Sequence, residues 1–153
     1  MKFKKVMVVL FLIALSATAI SPAFAQNGPT TDHIALYVKD LNKSAAFYRD
    51  VMQLEVIPEP FHDGKHVWFR TGEHSQLHII QGAAAVYDHD INTHIAYHVN
   101  DLKTFTDHLD KLNVKYGNWK GDSKSPQLRP DGVKQVYLQD PDNFWIEVND
   151  DKF

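Results

Sequence analysis

The 153-residue sequence contains no cysteine, only seven glycines and seven prolines, and no excess of positive charge. Without thiols, disulfide bonds, thiol catalysis and an amino-terminal lipid attached to cysteine are all excluded. The 19 acidic residues outnumber the 16 basic ones and give a formal net charge of −3, which is the opposite of the basic footprint of nucleic-acid-binding domains. We therefore expect neither nucleic acid nor an anionic membrane surface as a partner.

One apolar run near the amino terminus is too short to cross a bilayer and has the setting of a secretory signal. It covers residues 6–20 and follows three lysines in the first five positions, whereas a spanning helix needs about 20 apolar residues. Ala23, Phe24 and Ala25 form a small-residue cleavage site. We predict a signal peptide over residues 1–25, a periplasmic or secreted domain over residues 26–153, and no stable membrane insertion after cleavage. An uncleaved anchor is the alternative.

The remaining chain contains an internal repeat. The segment HIALYVKDL at 33–41 returns 61 positions later as HIAYHVNDL at 94–102, with six of nine residues identical. At an offset of 69, residues 67–69 align with 136–138 and residues 77–79 align with 146–148, so that Glu147 is the counterpart of His78. A repeat of this kind determines architecture. We predict two modules, residues 30–82 and 92–150, related by a pseudo-twofold axis.

Each module has the pattern of a βαβββ unit. Residues 32–38 alternate polar and apolar as a strand does, and a helix capped by Asp40 or Asn42 follows to about Met52. The later strands are predicted near 55–57, 66–70 and 76–80, then near 114–116, 134–139 and 144–148. The larger offset places eight extra residues in the turn-rich stretch 118–132, which is either a functional lid or a surface elaboration.

Strand alternation separates an apolar face from a polar one in both modules. The apolar face is expected under the helices, whereas the polar face, rich in histidine and aromatic residues, fits the lining of a wet cavity. His33 and His94 begin equivalent strands, and His78 and Glu147 occupy equivalent positions in the last strands. Three imidazoles and one carboxylate suit Zn²⁺, Ni²⁺, Fe²⁺ or Mn²⁺. We predict these four as metal ligands; a satisfied polar cluster is the alternative.

The repeated His-Ile-Ala strand, the helix segment AAFY at 45–48 and the closing segment DPDNFWIEV at 140–148 resemble the vicinal oxygen chelate superfamily. This superfamily contains glyoxalases, fosfomycin-resistance enzymes, extradiol dioxygenases and bleomycin-binding proteins, and the resemblance covers essentially the whole mature chain. It implies an α+β fold in which two βαβββ modules form a cup-shaped mixed sheet, with the helices on the outer face and a divalent metal inside. By this resemblance His33, His94 and Glu147 match the widely shared ligands. His78 occupies the variable position, where many bacterial glyoxalases have glutamate.

The resemblance also implies a function, a lyase or isomerase of glyoxalase type that acts on a small vicinal dioxygen substrate through a metal-bound enediolate. Glu147 would then be the catalytic base. Alternatives are a binding or sequestration protein and an Fe²⁺ extradiol-type dioxygenase, and a homodimer that exchanges modules is also known in the superfamily. The expected substrate-binding residues are hydrogen-bonding, stacking or cationic side chains: His66, Trp68, Arg70, Tyr137, Arg129 and Lys134.

Overall fold

The computed structural model describes residues 28–152, so the predicted signal peptide lies outside the described residues. Within residues 28–152, no helix combines the length and apolar composition that crossing a membrane requires. The first module consists of strand β1 (His33–Val38), helix α1 (Leu41–Ala46) continuing as a π-helical turn (Phe47–Val51), and strands β2 (Glu55–Ile57), β3 (His66–Arg70) and β4 (Gln76–Gln81). The second module consists of β5 (His94–His98), α2 (Leu102–Lys111), β6 (Tyr116–Gly117), β7 (Gln127–Leu128), β8 (Lys134–Gln139) and β9 (Trp145–Asn149).

The predicted α+β fold of two βαβββ modules is confirmed. The first sheet has the order β1-β4-β3-β2 and the second has β5-β9-β8-β6, with the short β7 paired to β8. In each sheet the first strand of the module runs parallel to the last, and the other pairs are antiparallel. Strand β6 begins two residues later than predicted, and β7 is an addition within the turn-rich stretch of the second module.

Both helices begin at equivalent aspartates. Asp40 Oδ1 accepts a hydrogen bond from the Lys43 amide at 3.1 Å, and Asp101 Oδ1 accepts one from the Lys103 amide at 3.0 Å. These carboxylates satisfy backbone donors that have no partner inside the first turn. The repeated Asp-Leu pair therefore explains why a helix follows the first strand in each module.

One apolar core joins the two modules. The inward faces of both sheets pack with both helices in a single cluster. Its fully buried members come from β1, β3 and β4 on one side and from β8 and β9 on the other, with Tyr48 and Leu109 from the helical segments: Val38, Tyr48, Phe69, Leu77, Ile79, Leu109, Val136, Leu138, Ile146 and Val148. Because side chains alternate along a strand, the polar face of each sheet points away from this core.

A buried polar clasp fastens the first helical segment to the turn before β9. Asp142 accepts hydrogen bonds from the Lys39 amide at 2.7 Å and from Ser44 Oγ at 2.8 Å, while Tyr48 Oη donates to Asp140 Oδ2 at 2.9 Å. Burial raises the pKa of Asp140, and the hydrogen bond from Tyr48 opposes that rise. The clasp thus ties the two modules together through partners that a buried carboxylate requires.

We expect Tyr48→Phe to lower the free energy of unfolding by about 1.5–3 kcal/mol at neutral pH, because a buried carboxylate loses a charge-assisted hydrogen bond. The loss matters only while Asp140 is ionised. Without the hydroxyl the folded-state pKa of Asp140 rises further, so the difference from the wild type should shrink as pH falls through that raised pKa. Urea unfolding at several pH values measures both effects. Tyr87→Phe, at an exposed position, is the matched control, and equal losses in both variants would contradict the clasp.

Candidate functional site

The polar face of the first sheet carries a stack of three rings, here called the amino-terminal half-site: His33, His78 and Trp68. Parallel pairing places Ala35 opposite His78, so His33 lies diagonally beside it on the same face. The His33 and His78 ring centroids are 4.2 Å apart, and Trp68 covers the other side of His78 at 3.8 Å with nearly parallel planes. The first and last strands of the module therefore bring two imidazoles into contact.

Each of these imidazoles has one ring nitrogen engaged by a neighbouring side chain. His33 Nδ1 lies 2.6 Å from Asp32 Oδ2, which leaves Nε2 as the ring nitrogen available to a ligand. Burial lowers the pKa of His78, and the neighbouring His33 lowers it further. His78 Nε2 is 2.8 Å from Gln76 Oε1, so its Nδ1 is available, or Nε2 becomes available when the Gln76 amide moves. A neutral imidazole is the form that binds a metal.

The polar face of the second sheet carries the carboxyl-terminal half-site, His94 and Glu147. His94 Nε2 lies 3.3 Å from Glu147 Oε2. His94 Nδ1 is 2.7 Å from the carbonyl oxygen of Ile91, an acceptor that requires the proton on Nδ1. With Nδ1 engaged by the backbone, Nε2 is the ring nitrogen that faces the carboxylate, and a backbone contact of this kind orients a histidine that binds a metal.

Two hydrogen-bond donors and one guanidinium group hold the Glu147 carboxylate in place. Tyr137 Oη donates to Oε2 at 2.6 Å, Asn149 Nδ2 donates to Oε1 at 2.7 Å, and Arg129 lies 3.7 Å from Oε1. Gln135 Nε2 in turn donates to Tyr137 Oη at 2.9 Å. Burial, and then the hydrogen bond to Glu147, raises the pKa of Tyr137, so the phenol stays protonated. This chain of donors keeps a buried carboxylate oriented toward His94.

The two half-sites are equivalent in register but lie on different sheets. Ala35 pairs with His78 in the first sheet as Ala96 pairs with Glu147 in the second. Each predicted pair of ligands is therefore formed, as the repeat indicates. Within residues 28–152, however, no three or more His, Cys, Asp or Glu side chains are arranged to hold one ion. One chain does not bring the four predicted donors together.

The predicted substrate-binding residues divide into three groups. Trp68, Tyr137 and Arg129 lie beside the half-sites as described above. His66 is on the same face as Trp68, but its Nδ1 is engaged by Asp63 at 2.9 Å. Arg70 pairs with Glu55 on the edge strand at 2.9 Å, and Lys134 is exposed on the opposite face of β8 from Tyr137. Lys134 is therefore turned away from the carboxyl-terminal half-site, whereas Arg70 shares the strand face of the amino-terminal half-site and lies opposite Gln76, the partner of His78.

Three residues of the second module were missed as site residues. Gln135 and Asn149 support Glu147, and both stand two positions from a site residue on the same strand face, which is the signal that would have identified them. Trp119 packs edge-on against Tyr137 with ring centroids 5.6 Å apart. It comes from the irregular stretch between β6 and β7, where strand alternation provides no signal.

Comparison with known proteins places this geometry in context. Residues 30–148 match the sequence profile described as the Glyoxalase/Bleomycin resistance protein/Dioxygenase superfamily. The uncharacterized protein YwbC of Bacillus subtilis (strain 168) is 26% identical over 122 residues, covering 76% of this chain and 93% of the relative.

Two solved structures show the same fold. Lactoylglutathione lyase from Agrobacterium tumefaciens is 22% identical with a TM-score of 0.61, over 82% of this chain and 96% of that one. The fosfomycin resistance protein FosX from Listeria monocytogenes is 23% identical with a TM-score of 0.63, over 82% and 95% of the two chains. At these identities the likeness concerns the fold alone.

The hydrogen bond between Tyr137 and Glu147 provides a direct test of the site geometry. We expect Glu147→Gln to lower the pKa of Tyr137, because the neutral phenol then loses its anionic acceptor. Titration of ¹³Cζ-labelled tyrosines by NMR measures this shift. Asp110→Asn is the matched control, since Asp110 accepts a hydrogen bond from Tyr116 instead. An unchanged Tyr137 pKa in Glu147→Gln would contradict the contact.

Proposed function

Because the chain belongs to the glyoxalase/bleomycin resistance protein/dioxygenase superfamily, we propose that it is an exported, divalent-metal-binding lyase or isomerase of glyoxalase type. Its substrate would be a small molecule with two vicinal oxygen atoms. The site would be shared by two copies of the chain, with His33 and His78 from one copy and His94 and Glu147 from the other. The observation that carries the proposal is His94 Nε2 aimed at Glu147 Oε2 at 3.3 Å.

The edges of the two sheets support a shared site. Strand β1 carries His33 and strand β5 carries His94, and each is an edge strand of its sheet. Within residues 28–152, no strand pairs with the outer edge of either one. An unpaired edge leaves a row of backbone donors and acceptors free to pair with another chain. Pairing β1 of one copy with β5 of the other would join an amino-terminal half-site to a carboxyl-terminal one, and would do so twice per dimer.

An open groove supports the same partner. A cavity of about 620 Å³ lies between the two edge strands on the core side, and Ile34, Ile95 and Phe105 line it. Ile34 is 38% exposed although it belongs to the apolar face of β1. Tyr97 Oη, also at this groove, is buried without a hydrogen-bond partner among residues 28–152. A second copy would cover this apolar surface, as a homodimer interface does.

The donor set fits a borderline divalent metal. Three imidazoles with one carboxylate match the N and O ligands of Zn²⁺, Ni²⁺, Fe²⁺ or Mn²⁺, and the contacts of His94 and Glu147 are the supporting interactions that metal ligands have. When bound, the metal would supply the Lewis acidity that polarises the substrate oxygens.

The protein side of the chemistry depends on Glu147. As the base, Glu147 Oε2 would take a proton from the substrate and return it to the adjacent carbon. Tyr137 Oη donates a hydrogen bond to this oxygen, so the Tyr137 hydroxyl must turn away when Oε2 takes the proton. Gln135 offers a new acceptor for it, because Gln135 Oε1 is buried without a partner among residues 28–152 and rotation of the amide would present it to Tyr137.

A second function, metal-dependent binding without turnover, is favoured by one observation. Glu147 accepts hydrogen bonds from Tyr137 and Asn149 and lies near Arg129. These contacts occupy both carboxylate oxygens, so neither oxygen is free to take a proton in this arrangement. In this case the four side chains would hold a metal and its ligand while no proton moves.

Metal content tests the ligand assignment. We expect the purified protein, loaded with Ni²⁺ or Zn²⁺ and desalted, to retain metal in elemental analysis. His94→Ala and Glu147→Ala should each lose it, because each removes one of four ligands. His74→Ala, a change in an exposed loop, is the matched control. Retention of metal by both site variants would show that these residues are not the ligands.

Mixed dimers test whether the site is shared. One chain carries His33→Ala and His78→Ala, the other carries His94→Ala and Glu147→Ala, and the two are coexpressed with different affinity tags. The mixed dimer would contain one complete site and one empty site, so we expect one metal ion per dimer and none in either variant alone. A mixed dimer without metal would contradict a site shared between chains.

Turnover separates the two functions. Conversion of a hemithioacetal by the metal-loaded protein, with loss in Glu147→Gln, is the result expected of the lyase. Retention of metal and of a substrate analogue without product would identify the binding protein instead.

A further inference from the structure

We propose that the second sheet carries a binding pocket for a planar, anionic part of the substrate, and that Trp119 forms one of its walls. This inference rests on the proposed function, which concerns the rest of the substrate. The pocket itself is formed by residues of a single chain. Its volume is about 660 Å³, inside the range of about 300–1,000 Å³ that small-molecule sites occupy. The lining residues that matter are Trp119, Trp145, Tyr137, Lys115 and Lys120.

The walls of the pocket are aromatic and held in place. Trp145 Nε1 donates to the carbonyl oxygen of His89 at 2.9 Å, which fixes its indole. Trp119 meets Tyr137 at an interplanar angle of 79°. In a perpendicular pair each ring keeps at least one face free of the other ring, so a flat ligand can stack on Trp119.

The charges at the pocket favour an anion. Lys115 and Lys120 line it, and within residues 28–152 neither has an acidic partner, unlike Lys124, which pairs with Asp110 at 2.6 Å. The acidic lining residue, Asp90, already accepts two hydrogen bonds from Asn92. The chain as a whole has a net charge of −3, so two ammonium groups without an acidic partner among the described residues form a local positive region. Together with the indole rings, they favour a planar aromatic carboxylate as the ligand.

The pocket opens onto the proposed metal-binding face. Tyr137 lines the pocket with its ring and donates its hydroxyl to Glu147, and the His94 ring packs edge-on against Tyr137 at 5.5 Å. A ligand in contact with Tyr137 therefore lies next to the carboxyl-terminal half-site. Trp119 belongs to the turn-rich stretch 118–132, which contains the eight extra residues of the second module. This stretch therefore contributes a wall of the pocket.

Binding of 2-naphthoate to the metal-free full-length protein, followed by calorimetry and tryptophan fluorescence, tests the proposal. We expect 2-naphthoate to bind. Cyclohexanecarboxylate, which is not planar, and 2-naphthalenemethanol, which is not charged, should each bind about tenfold more weakly. This is the size of the effect expected for the loss of one stacking or one charge contact. Trp119→Leu should weaken binding of 2-naphthoate about tenfold. Trp119→Phe should restore most of it.

The lysines are tested in the same assay. The double variant Lys115→Gln, Lys120→Gln should bind 2-naphthoate more weakly but bind 2-naphthalenemethanol as the wild type does. Lys111→Gln, at an exposed position of helix α2, is the control for the loss of positive charge. Equal affinity in the wild type and Trp119→Leu, or equal affinity for the planar and the non-planar acid, would overturn the pocket. Because the assay contains EDTA and no metal, its result is independent of the metal site: naphthoate binding without metal retention would reject only the proposed function.

Discussion

The arrangement of the whole chain follows from one constraint, which is that both sheets must bury an apolar face and share a single core to do it. Side chains alternate along each strand, so burying Leu77 and Ile79 in the core places His78 on the other face of the first sheet, and burying Ile146 and Val148 places Glu147 on the other face of the second. Because both sheets contribute their apolar faces to one core, the polar face of each sheet turns away from that core. The half-sites are therefore complete as pairs and separate as a set of four.

The relative position of the modules depends on buried polar contacts as well as on apolar packing. Asp140 and Asp142 stand in the turn that leads into β9, and their partners Ser44 and Tyr48 lie in the helical segment of the other module. Apolar contacts are not directional, whereas these hydrogen bonds require a particular alignment. Since β9 carries Glu147 five positions after Asp142, the clasp also positions the carboxyl-terminal half-site relative to the first module.

Equivalent positions in the two modules have acquired opposite chemistry. His78 lies between two rings, where burial and the neighbouring His33 lower its pKa and keep it neutral. Glu147, at the matching position, accepts hydrogen bonds from Tyr137 and Asn149 and lies 3.7 Å from Arg129. A dimer that joins these unlike halves would place a neutral nitrogen donor and a charged oxygen donor around one ion. Two like halves would instead provide either four imidazoles or two imidazoles with two carboxylates.

Much of the fold and of the candidate site could be predicted from the sequence, because both rest on local patterns. The repeated His-Ile-Ala strand and the Asp-Leu helix start predicted the modules, and strand alternation placed His33 beside His78 and His94 beside Glu147. The signal peptide and the periplasmic or secreted location remain predictions. Lys134 was predicted from charge alone, and the pleat turns it to the other face of its strand from Tyr137. Trp119 lies in an irregular segment, where no period indicates which way a side chain points.

The sequence by itself determined which residues share a strand face, since that follows from a period of two. Only the tertiary structure decided that one chain does not bring the four donors together and that β1 and β5 are left as open edges, because this depends on how the apolar faces of two sheets pack in one core.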